Sequence, residues 1–181
     1  MSRPVLVEEA AVVTCDDRGT IHERGWVLVE NDRIIEVGSG DAPSSARRSA
    51  DRLDARGCAV MPGMTNGHTH LFQTFFRGLG DDKPLLDWLR DYIWPAASVM
   101  EPEELAAATA IGIIENLRTG ATTVIDHQYL HPGGPHDDAA CDEAERLGVR
   151  YVLASGWADR NYEPRLTESA DRVGARTSDI A

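Results

Sequence analysis

One stretch decides the fold: Cys58-Ala59-Val60-Met61-Pro62-Gly63-Met64-Thr65-Asn66-Gly67-His68-Thr69-His70-Leu71-Phe72-Gln73. It opens with a short apolar strand at 58–61, which a Pro-Gly pair closes, and two histidines follow with one residue between them. Residues two apart on a strand point to the same side, so His68 and His70 can direct both imidazoles at one point. Imidazole nitrogen suits zinc and other late first-row metals, and a catalytic zinc takes about three protein ligands and a water. The pair therefore predicts half of a metal site at the end of a strand.

Strands and helices alternate downstream of this stretch. Helical patterns cover 84–94, 102–119 and 137–147, and strand patterns cover 122–126 and 149–154. This order predicts right-handed βαβ units and a parallel sheet. At about 30 residues per unit, residues 58–181 hold about three units, whereas a closed (β/α)₈ barrel takes about 250 residues. We therefore expect an α/β fold, a partial TIM-like barrel.

Residues 1–57 have a different pattern. Short apolar runs predict strands at 5–7, 11–13, 25–30 and 33–37. Asn31-Asp32 predicts a two-residue hairpin turn, because both residues tolerate positive φ. The stretch 38–56 is rich in small and charged residues without periodicity, so it predicts a connection or a mobile edge. The N-terminal part is thus expected to be a small, mainly antiparallel sheet.

Charge and cysteine content exclude several classes of function. A formal net charge of −12 and an isoelectric point near 4.8 disfavour nucleic acid and anionic membranes as partners. Three widely spaced cysteines suit neither a disulfide framework nor a paired-cysteine zinc site. No apolar run has the length of a signal peptide or a membrane span, so the cytoplasm is the expected location. A small neutral ligand fits this composition better.

The histidine pair in its context resembles the first-strand metal motif of the amidohydrolase superfamily. The likeness extends over essentially the whole chain, through segments 75–79, 84–89, 93–95 and 118–126. These segments resemble the subgroup that contains guanine and 8-oxoguanine deaminases, chlorohydrolases and triazine aminohydrolases. The resemblance implies that residues 1–57 are the N-terminal part of a small β-sandwich and that residues 58–181 are the first three or so β/α units of the barrel.

The resemblance also implies a chemistry, namely hydrolytic deamination at a single divalent metal. Zinc is expected first and iron is the alternative. Its ligands would be His68, His70, a histidine from strand five and an aspartate from strand eight. Such a metal supplies an activated water near neutral pH, and a glutamate and a histidine from later strands move the protons. The groups from later strands would fall after residue 181, so no catalytic residue is assigned within this chain.

Three residues are candidates for contacting the substrate, a small heterocycle. Gln73 matches the position from which guanine-type deaminases hydrogen-bond a purine, and its planar amide suits a heterocycle edge. An ordinary loop glutamine is the alternative. Arg77 and Trp94 are candidates for lining the pocket, against the alternatives of an exposed loop arginine and a packed tryptophan.

The remaining histidines differ in what their positions predict. His127 follows Asp126 at the end of the second barrel strand, where catalytic residues of such barrels gather, so it is a further candidate for the substrate pocket. His131 and His136 flank a Pro-Gly-Gly-Pro loop, and we expect neither to bind metal. His22 lies in the N-terminal sheet and is expected to be solvated.

Two alternatives stay open beside the deaminase. The first is a truncated or split fragment that is inactive until a complementing chain joins it, because an open parallel sheet leaves unpaired edges. A homo-oligomer is a further expectation.

The second alternative is a cyclic-amide hydrolase of the dihydroorotase or hydantoinase kind, which resembles this family but uses two metals bridged by a modified lysine. Lys83, the only lysine, lies in a loop and does not fit that role. A cytidine-deaminase site needs His-x-Glu and Cys-x-x-Cys, and neither occurs.

Overall fold

The computed structural model describes residues 3–160 and 162–179, and the chain divides into two units, Met1–Pro62 and Gly63–Ala181. The first unit contains a five-stranded sheet in the order β3-β2-β1-β4, with β5 also paired to β1. Its elements are β1 (Val5–Val13), β2 (Ile21–Glu30), β3 (Arg33–Ser39), α1 (Ser44–Ser49), β4 (Asp51–Asp54) and β5 (Ala59–Val60). Pairing is antiparallel between β1, β2 and β3, and parallel for β4 and β5 on β1.

Alternation along β1 explains the core of this unit. β1 is one strand where two were predicted, and it contains a bulge at Glu9, where φ is +66°. Leu6, before the bulge, is buried in one apolar cluster, and Ala10 and Val12, after it, are buried in another. Glu8 is also buried, and its carboxylate pairs with arginines from α1 and β4. Asn31 has φ +55°, as the predicted hairpin turn requires.

The second unit is a parallel α/β layer. Its sheet has the order β6-β7-β8, and all pairs are parallel, as predicted. Its elements are β6 (Met64–Thr69), a 3-10 helix (Leu71–Phe76), α2 (Leu85–Trp88), a π-helical turn (Leu89–Ile93), α3 (Trp94–Ala97), α4 (Pro102–Arg118), β7 (Ala121–Gln128), α5 (His136–Leu147), β8 (Arg150–Ser155), a 3-10 helix (Pro164–Leu166) and α6 (Ala170–Asp179). Among the described residues, β6 and β8 each have one unpaired edge.

Packing between α4, α5 and the sheet forms the core of this unit. A capping box begins α4, in which the Glu104 side chain accepts the Glu101 amide at 2.9 Å, and Gly148 ends α5 in the left-handed conformation. The fully buried residues include Leu71, Phe72, Ile93, Leu105, Ile113, Val124, Leu130 and Leu166. In the described part of the chain, none of the helices is long and apolar enough to cross a membrane.

Two elements lie elsewhere than the sequence predicts. The apolar run at 58–61 is not the first strand of the parallel sheet, because Ala59–Val60 pair with β1 in the first unit. That first strand is β6, and the two units divide at Pro62, whereas the sequence placed the boundary before Cys58. The stretch 38–56, expected to be a connection, contains α1 and β4.

Candidate metal centre

Three histidines meet where β6 and β7 end. His68 is in the last part of β6, His70 directly follows the strand, and their ring centroids are 5.0 Å apart. His127 comes from the end of β7, and its ring centroid is 5.2 Å from that of His70. The carboxyl ends of parallel strands lie at one edge of the sheet, which is where active sites of such barrels form. The structure therefore brings the predicted pair together with His127.

Hydrogen bonding fixes which nitrogen of His70 is available. Its Nδ1 lies 2.8 Å from the backbone carbonyl oxygen of His127. A carbonyl only accepts, so Nδ1 donates the hydrogen bond, which leaves Nε2 as the ring nitrogen that can face a metal, as in metal-bound histidines. Burial lowers the pKa of His127, and the neighbouring His70 and His68 lower it further. A neutral imidazole is the form that binds metals.

These donors fit a divalent late first-row metal, but they do not complete its coordination. Within the described residues, no group of three or more His, Cys, Asp or Glu side chains is arranged to hold an ion. The Nε2 of His127 lies against Gly156, where an added Cβ would approach it to 2.4 Å. His68 and His70 thus supply two imidazoles of a larger ligand set.

An aromatic cavity of about 390 Å³ lies beside the histidines. Its apolar wall consists of Leu85, Trp88, Leu89, Tyr129, Trp157 and Tyr162. Trp88 is held by a hydrogen bond from its Nε1 to the Leu79 carbonyl oxygen at 2.7 Å, whereas Trp157 is 55% exposed. None of the described lining residues is Asp, Glu, Lys or Arg. Such a wall suits a flat, uncharged ring.

Gln73 lines this cavity, as a substrate-binding residue must. Its Nε2 donates to the Tyr129 hydroxyl at 2.5 Å. Burial raises the pKa of Tyr129, so the phenol stays protonated at neutral pH. Nothing in the sequence marks Tyr129, Trp88 or Trp157 as pocket residues, because an aromatic side chain in a pocket wall has the same sequence pattern as one in a core.

Arg77 and Trp94 lie outside the aromatic cavity. Arg77 is exposed and forms a two-pronged ion pair with Glu115, which raises the pKa of the guanidinium; it lines a neighbouring cavity of about 620 Å³. Trp94 is buried in the core, with its ring centroid 4.5 Å from that of Tyr162. A substrate contact by either residue stays a prediction.

The other histidines have structural contacts. His131 and His136 are buried, and each has its Nε2 2.9 Å from a backbone carbonyl oxygen, of Gly156 and Met100 respectively. His22 is partly exposed on β2. Lys83 lies 3.4 Å from Asp91 and is exposed.

Comparison with known proteins decides the family. Residues 59–178 match the model of the amidohydrolase family. The chain belongs to the amidohydrolase family, as the resemblance implied. It is 37% identical over 170 residues to a 5-methylthioadenosine/S-adenosylhomocysteine deaminase of Bacillus cereus, an alignment that covers 92% of this chain and 38% of that protein. A deaminase of the same description from Bacillus anthracis gives the same figures.

Solved structures of this family share the fold. A triazine hydrolase from Arthrobacter aurescens superposes with a TM-score of 0.85 at 24% identity, covering 99% of this chain and 42% of its own. An adenosine deaminase from Xanthomonas campestris with bound zinc gives 0.75 at 28% identity, covering 97% and 38%. The amidohydrolase chain therefore spans about two fifths of the length of these relatives, and its α/β layer corresponds to part of their barrels.

Proposed function

We propose that the protein carrying this chain is a metal-dependent hydrolytic deaminase that cleaves the exocyclic C–N bond of an amino-substituted heterocycle. The observation that carries the proposal is the pairing of His68 and His70 beside an uncharged aromatic cavity. Relatives described as deaminases of methylthioadenosine, S-adenosylhomocysteine and adenosine support the same class of reaction. Guanine, 8-oxoguanine and triazines are the other substrates that the sequence favours.

His68 and His70 would hold the metal, the latter through its Nε2. Zinc is the metal that we propose first, because the related adenosine deaminase contains it, and iron is the alternative. When bound, such a metal supplies an activated water at neutral pH. The remaining ligands and the acid–base groups would come from the part of the relatives' length that this chain does not span.

The chain's own residues would bind and orient the ring. Trp88 and Trp157 offer flat apolar faces for stacking. Because Gln73 donates its amide N–H to Tyr129, its Oε1 is left to accept a hydrogen bond from a ring N–H. Apolar residues around the cavity would exclude bulk water from the reacting carbon.

Ammonia release tests this function directly. The protein, at the length at which its cells make it, should release ammonia from at least one of guanine, 8-oxoguanine, 5′-methylthioadenosine, adenosine or a hydroxytriazine. His68→Ala and His70→Ala should abolish the release and reduce the bound metal, whereas the matched control His22→Ala should change neither. Full activity in His68→Ala would refute the proposal.

The second proposal concerns the 181-residue chain by itself, which we expect to be inactive without a complementing chain. The unpaired edges of β6 and β8 and the exposed Ile111 and Ile114 on α4 favour it. The assay is the same ammonia release, from the isolated chain; activity that His68→Ala abolishes would overturn it. A homo-oligomer and a cytoplasmic location remain proposals.

A further inference from the structure

Asp126 is a buried carboxylate that the proposed function leaves without a role. It lies near the end of β7 and is 2% exposed. A buried carboxylate is costly unless its oxygens accept hydrogen bonds. One oxygen accepts the backbone N–H of Leu71 at 2.9 Å, and the other accepts the hydroxyl of Tyr151 at 2.7 Å. Both carboxylate oxygens of Asp126 therefore accept a hydrogen bond, each from a different neighbouring segment.

The bond to Leu71 is one of two hydrogen bonds that join the same two short segments. Leu71 directly follows His70, and the ring of His70 donates from Nδ1 to the carbonyl of His127, which directly follows Asp126. Residues 70–71 thus donate both hydrogen bonds, and residues 126–127 accept both. We call this pair of bonds the clasp. One of its bonds orients the His70 ring, and the other fixes the backbone from which that ring projects.

The clasp also provides a hydrogen-bond acceptor for the first N–H group of the 3-10 helix that follows His70. Leu71 begins a 3-10 helix, whose first N–H groups have no partner within the helix. His70 stands at the N-cap position, and its side chain makes no capping bond. Asp126 supplies the missing acceptor from the next strand. Tyr151, on β8, holds the second carboxylate oxygen and so keeps the group from turning away.

We propose that Asp126 is a positioning residue for the metal ligand His70, acting as the hydrogen-bond acceptor that fixes the Leu71 amide. This role rests on the proposed metal-dependent function. Without the acceptor, the Leu71 N–H is left buried and unpaired, and the backbone at His70 shifts to find another partner. Partners that orient metal ligands are worth about 10- to 100-fold in metal affinity. Loss of the acceptor should therefore weaken metal binding although no ligand is removed.

Metal affinity separates this role from a general effect on folding. Zinc affinity, measured by competition with a chelator, and the visible absorption of the cobalt-substituted protein are compared for the natural-length wild type and its variants. Asp126→Ala should lose about tenfold or more in affinity and change the cobalt spectrum. Asp126→Asn keeps an acceptor for Leu71 and should stay close to wild type. An unchanged affinity in Asp126→Ala, or an equal loss in Asp126→Asn, would overturn the proposal.

A measurement on the unaltered protein covers the case in which Asp126→Ala fails to fold. The Leu71 amide should exchange its hydrogen far more slowly than the exposed loop amide of Gly78, and equal rates would overturn the clasp. Failure of the proposed function looks different. A wild type that binds no divalent metal refutes the metal centre, and the role of Asp126 with it. A wild type that binds metal as tightly as Asp126→Ala refutes only the role of Asp126.

Discussion

Replacing Arg176 with methionine should destabilise the second unit more than any change on the outer side of α6. The guanidinium bonds Glu168 through two nitrogens, at 2.8 and 3.2 Å, and Asp137 at 3.1 Å. Both carboxylates are almost fully buried, with side chains 3% and 8% exposed, and the Arg176 side chain is 19% exposed. Methionine keeps the aliphatic stem but leaves two carboxylates without their cation.

The size of the effect follows from burial. Removing one partner of a buried ion pair costs about 3–5 kcal/mol, because the other charge stays desolvated. Arg176 keeps some contact with water, so we expect about 3 kcal/mol, the lower end of that range. Arg172, on the same helix, is exposed, and Arg172→Met should cost about 0.5 kcal/mol or less.

Urea unfolding followed by tryptophan fluorescence measures the difference, with both variants made in the natural-length protein. The unfolding midpoint of Arg176→Met should fall, while that of Arg172→Met should stay near wild type. If the two variants unfold at the same urea concentration, the buried ion pairs do not stabilise this unit and the reasoning fails.

Three further outcomes can be checked. Burial lowers the pKa of His131 in the folded state below its value in the unfolded chain. The contribution of neutral His131 to the free energy of unfolding is therefore complete above about pH 6.5, the unfolded value, and is lost as the pH falls through the pKa of the folded state. Unfolding free energies from pH 7 to pH 5 should therefore fall more steeply in wild type than in His131→Gln. Gly38→Ala should lower the free energy of unfolding of the first unit by about 1–3 kcal/mol, because the new Cβ would meet the buried Trp26 ring at 2.5 Å; denaturation showing no loss would contradict this. Trp157→Ala should raise KM about tenfold in steady-state kinetics, if stacking holds the ring, with thermal stability unchanged; an unaltered KM would exclude Trp157 from the site.

Local patterns in the sequence predicted what depends on local chemistry. The His68/His70 spacing, the helix that begins at Pro102 and the hairpin turn at Asn31 all follow from residues close to one another in the chain. The clasp could not be predicted in this way, because it joins Leu71 to Asp126, 55 positions apart, and nothing in the sequence near either residue marks the bond. The aromatic wall was missed for the same reason, since Trp88 and Trp157 come together only through the parallel sheet.

The first strand of the parallel sheet was misplaced because the residues of the candidate site make that strand polar. β6 reads Met-Thr-Asn-Gly-His-Thr and is mostly exposed, so it lacks the apolar character by which the strand at 58–61 was chosen. Its polar residues are those that the site needs, and they contribute little burial of their own. The strand is held instead by pairing with β7 and by the Asn66 amide, which donates to Asn116 on α4 at 2.9 Å. A strand specified by its neighbours in this way leaves its side chains free for chemistry, and the same freedom makes His70 depend on bonds such as the clasp for its position.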